Sequence, residues 1–79
     1  MSVPSEVIEA SRTGRPIRIH TRDGEVLVAR VLTYDRREVV CAVLTSSRPE
    51  RYGDCDATGY AFPHEGIERV QLLREPRDA

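Results

Sequence analysis

Asp54-Cys55-Asp56-Ala57-Thr58-Gly59, with Glu65 further on, has the spacing of a calcium loop. Asp54, Asp56 and Thr58 offer side-chain oxygens, Tyr60 a backbone carbonyl and Glu65 a two-oxygen carboxylate, with Gly59 at the sharp turn. Such loops need helices on both sides. Pro49 precedes this one, Pro63 interrupts its end and the flanks read as strand, so an acidic β-loop is the preferred reading and calcium the third in order. Cys55 lies between two carboxylates that disfavour its thiolate. His20, Cys41, Cys55 and His64 are the soft metal ligands, drawn from four separate segments with no local pair. His20 reads better as a polar-face strand residue and Cys41 as a small core hydrophobe. Arg36-Arg37, beside Tyr34 and Asp35, joins cations that suit phosphate to a ring that can stack on a base. The competing reading is a solvated hairpin tip whose arginines pair with Asp35 and Glu38. With no Ser-His-Asp order, phosphate loop or dinucleotide fingerprint in the sequence, neither an enzyme nor a cofactor is expected.

The elements that must position these groups belong to one small domain. A chain of 79 residues removes only about 60 to 65% of its unfolded surface from water, so its core is thin and self-association would help it. The net charge is −1, which gives no general attraction to nucleic acid or anionic membrane; attraction must come from a local patch. Every basic side chain is Arg, a choice that suits two-pronged pairing with carboxylates as well as phosphate. No run approaches the roughly 20 apolar residues of a membrane helix, and the N-terminus lacks the pattern of a secretion signal, so a cytoplasmic protein with no membrane partner is expected. Two distant cysteines indicate reduced thiols rather than a disulfide framework.

Ser2-Val3-Pro4-Ser5-Glu6 reads as a helix start with a small polar cap, and Gly14 as its stop, giving a helix over about 3–13 with Val3, Val7 and Ala10 at helical spacing. Ile17 and Ile19 then alternate with Arg18 and His20, the period of a half-buried strand over about 16–22. Asp23-Gly24 makes a tight reversal. Residues 25–35 form a long strand whose run from Val26 to Tyr34 is apolar on both faces apart from Arg30 and Thr33, as strong curvature demands. A second polar turn at Asp35-Arg36-Arg37-Glu38 leads to a strand over 38–47. Residues 45–59 read as a long excursion with extended flanks around Arg48 to Tyr52. Short strands over 59–63 and 67–73 flank one turn of 3₁₀ helix at Pro63-His64-Glu65-Gly66, and 75–79 is a polar tail. The fold class is mostly β: a short N-terminal helix, then a five-stranded, strongly bent antiparallel barrel of SH3-like order.

Within that class the chain resembles the Sm-like (LSm) family over about residues 5 to 44. The shared features are the strand at Ile17 to Thr21, the Asp23-Gly24 turn, Leu27 and Val31 in a bent strand, and the aromatic-Asp corner at Tyr34-Asp35. Ala29 stands where the family usually has the glycine that permits the bend. The family's RNA-reading Asn beyond Asp35 is not present, and its Arg-Gly pair is Glu65-Gly66, an anion where phosphate would approach. The resemblance implies a non-catalytic domain that assembles with copies of itself into a ring through strand edges, here carrying Tyr60, Phe62, Val70 and Leu72, and that contacts RNA at Tyr34, Asp35, Arg36 and Arg37. The alternative is a protein-interaction module acting through the 45–59 loop and the free edges.

Overall fold

A computed structural model describes residues 3–52 and 59–74. Helix α1 (Ser5–Thr13) is followed by β1 (Ile17–Thr21), β2 (Val26–Tyr34), β3 (Glu38–Ser46), a 3₁₀ turn (Pro49–Arg51), β4 (Tyr60–Pro63), a second 3₁₀ turn (His64–Gly66) and β5 (Ile67–Leu72). The strands form one antiparallel sheet in the order β4-β3-β2-β1-β5. Two expectations need correction. Residues 49–51 are a 3₁₀ turn, not extended chain, because Pro49 fixes its own φ at the first helical position. The helix begins at Ser5 with no side-chain cap; Pro4, in extended conformation, instead offers its carbonyl to the amides of Val7 and Ile8.

Alternation along each strand sends one set of side chains inward. Ile17, Ile19, Leu27, Ala29, Val39 and Cys41 are buried, and Val7 and Ala10 of α1 cover them. The helix lies against β1, β2 and β5 and ends where Gly14, at φ 78°, donates its amide to Ala10. Curvature around Ala29 comes without a glycine. The β2–β3 register shifts between Val28 and Ala29 and again between Val31 and Thr33, and each such irregularity bends and twists a strand locally. A further shift at His20/Thr21 bends the β1–β5 pair.

The sheet is strongly bent. Among the described residues β4 pairs only with β3 and β5 only with β1, so strand pairing among them does not show the expected closure into a barrel. No helix among the described residues is long and apolar enough to cross a membrane.

Candidate nucleic-acid interface

The β2–β3 turn is built by its first residue. Asp35 accepts backbone N–H bonds from Arg37 at 2.7 Å and Glu38 at 3.0 Å through one carboxylate oxygen, and its own amide donates to the Glu38 carbonyl at 2.9 Å. Those amides hold its carboxyl below the usual carboxylate range, with the charges of Arg37 and His64 adding to the effect. The carboxylate therefore serves the turn. Arg36 and Arg37 project from it exposed, and neither forms an ion pair among the described residues. The pairing with Asp35 and Glu38 that the sequence suggested is replaced by these backbone bonds.

His64 ties this turn to the β4–β5 corner. Its backbone amide donates to the Arg37 carbonyl at 2.9 Å, and its Nε2 lies 2.8 Å from the Asp35 carbonyl. A carbonyl oxygen can only accept, so Nε2 carries a proton. Nδ1 is buried without a hydrogen-bond partner among the described residues. The residue is 8% exposed, and sequence reasoning weighed it only as a metal ligand. Between the two tied turns lies a groove of about 390 Å³ lined by Arg36, Arg37, Glu38, Pro63, His64 and Glu65. Tyr34 does not line it; the ring is partly buried against the core, on the inward side of β2 opposite Val39.

The other residues singled out from sequence fall elsewhere. Tyr60 and Phe62 lie on β4 and Val70 and Leu72 on β5, the two outer strands, with Phe62, Val70 and Leu72 packed against the core. Tyr60 donates its hydroxyl to the Tyr52 carbonyl at 2.7 Å and meets the Tyr52 ring edge to face at 4.9 Å. Asp54, Cys55, Asp56 and Thr58 lie outside the described residues. Glu65 is exposed in the His64–Gly66 turn. Among the described residues no group of three His, Cys, Asp or Glu side chains is placed to hold a metal. Cys41 is fully buried, and burial pushes its thiol up to about 12.

One polar cluster gave no signal in the sequence. Glu25, read as the first residue of the long strand, is 1% exposed. Its Oε2 accepts hydroxyl bonds from Ser46 and Tyr52, both at 2.5 Å, and its Oε1 takes Arg51 Nη1 at 2.9 Å. Arg51 Nη2 reaches Asp23 at 3.0 Å, so one guanidinium bridges both carboxylates. The partners lie 21 to 27 residues along the chain, beyond the range of any local pattern. This network clamps the 3₁₀ turn and the end of β3 onto the β1–β2 reversal.

No family model, no curated protein and no solved structure matches the chain.

Proposed function

We propose that this chain is a divergent Sm-like domain: a non-catalytic module that assembles with copies of itself through the outer edges of β4 and β5 and binds single-stranded RNA in the groove between the two tied turns. The single observation that carries the reading is the latch at His64, which holds two turns distant in sequence together and presents Arg36 and Arg37, with no ion-pair partner among the described residues, beside it. Free guanidinium groups on a fixed turn suit phosphate, and their cost of ordering is partly met before any ligand arrives. The outer position of β4 and β5 in the described sheet supports self-assembly, since outer strand edges are templates for pairing.

Titration with short single-stranded RNA at two salt concentrations tests it. The affinity is expected to fall steeply with salt and to weaken in the Arg36→Ala plus Arg37→Ala protein. If nothing binds at low salt, the remaining reading is the protein-interaction module, for which the same outer edges are the supporting observation.

A further inference from the structure

The outward face of the β1–β5 pair carries positive charge that nothing in the described structure neutralises. Arg18 stands opposite Gln71 and His20 opposite Arg69. Gln71 Oε1 lies 3.4 Å from Arg18 Nη1 and 3.3 Å from His20 Nε2, while Arg69 Nη2 lies 3.5 Å from that same His20 nitrogen. On the other side of β1 the cross-strand partners are Val28 and Val26, so neither flanking strand supplies an acid in register. Glu6 and Glu68 are near, lining with Arg69 a neighbouring groove of about 340 Å³, yet among the described residues neither makes an ion pair.

The same chain pairs its arginines elsewhere, Arg12 with Glu9 and Arg48 and Arg51 with Asp23. Arg18 and Arg69 stand at the diagonal across the β1–β5 pair, two like charges on one face whose repulsion an anion would remove. The planar guanidinium of Arg18, held by Gln71, and that of Arg69, beside His20, suit phosphate oxygens. The neighbouring groove also contains Arg22 and His64, and His64 lines the groove of Arg36 and Arg37 as well. The two surfaces are thus joined through His64, and Arg22 is fixed at that junction by its bonds to Glu65 and Gly66.

We infer that Arg18 and Arg69 form a second phosphate-binding surface, which takes the backbone of the same single-stranded RNA after it leaves the Arg36–Arg37 groove; this rests on the RNA reading above. Fluorescence anisotropy with labelled single-stranded RNA of about five and about twenty nucleotides, over about 50 to 200 mM salt, tests it. For the long RNA, Arg18→Gln plus Arg69→Gln should make the plot of log affinity against log salt shallower by about 1.4, two contacts at about 0.7 each, while Arg18→Lys plus Arg69→Lys keeps the slope. The short RNA should be weakened by Arg36→Ala plus Arg37→Ala and left unchanged by the Gln pair. Melting should be unchanged or higher in the Gln pair, because like charges have been removed. Should that pair misfold, Arg69→Gln alone, at an exposed position, is expected to remove about 0.7 of slope. An unchanged slope for the long RNA overturns this surface and leaves the groove standing. Failure of the unaltered protein to bind either RNA overturns both.

Discussion

Glu25 is the residue whose environment most constrains the chain. A carboxylate this deeply buried is tolerated only with its oxygens satisfied, here by Ser46, Tyr52 and Arg51. Tyr52→Phe removes a hydroxyl donor to a charged, buried acceptor and is expected to cost about 1.5 to 3 kcal/mol, read from the midpoint of urea unfolding. A loss within a few tenths of a kcal/mol would mean that the cluster contributes little to stability. Asp23 belongs to the same network; the Thr21 hydroxyl first, then Arg51, lower its carboxyl to about 2. A lowered carboxylate stabilises the fold fully above its ordinary value of 3.8, and that contribution fades as pH falls through that value toward 2. Asp23→Asn should therefore flatten the fall of the unfolding midpoint between about pH 4 and pH 2. An Asp23→Asn protein that tracks the parent throughout this window excludes the proposed linkage. Cys41 offers a third check. Buried and with its thiol pushed up to about 12, it should resist alkylation in the folded protein and react once the chain is unfolded, as peptide mapping of labelled protein will show.

At the scale of elements, what could be read from sequence was whatever depended on neighbouring residues. The reversal at Asp23-Gly24, the long strand that runs to Tyr34, the stop at Gly14 and the turn at His64 each follow from local conformational preference and alternation, and each is present. What stayed hidden depended on partners far along the chain: the burial of Glu25, the latch at His64, and the inward packing of Tyr34, whose place in the bent strand shifts with the irregularity at Val31/Thr33. The close approach at Gly59 was equally invisible. A Cβ there would lie 2.6 Å from Val40 Cγ1 and 3.0 Å from Leu32 Cδ1, so the chain entering β4 sits directly on β2 and β3 side chains. Gly59→Ala is expected to destabilise by about 1 to 3 kcal/mol through overpacking, with Val40→Ala recovering part of the loss. Strictly additive effects of the two changes in thermal melts would show that the crowding is relieved elsewhere.

For the molecule as a whole, a core this small gains from association, and the proposed assembly predicts a mass by native spectrometry that is a multiple of 8.9 kDa. It also predicts a melting temperature that falls on dilution over about a hundredfold range, because partner binding adds to the apparent stability of the fold. A melting point independent of concentration, with a mass of one chain, rules the assembly out. The geometry of the sheet carries one more consequence. The two outer strands of the described sheet are unlike, β4 on one side and β5 on the other, so copies docking β4 to β5 meet head to tail rather than through one self-complementary patch. Each addition then rotates by a constant step, which either returns to its origin after a whole number of copies or runs on as a helical filament. The backbone irregularities beside Ala29 and Thr33 help set that step, so stoichiometry would be encoded in the kinks of β2 as much as in the side chains of the docking margins.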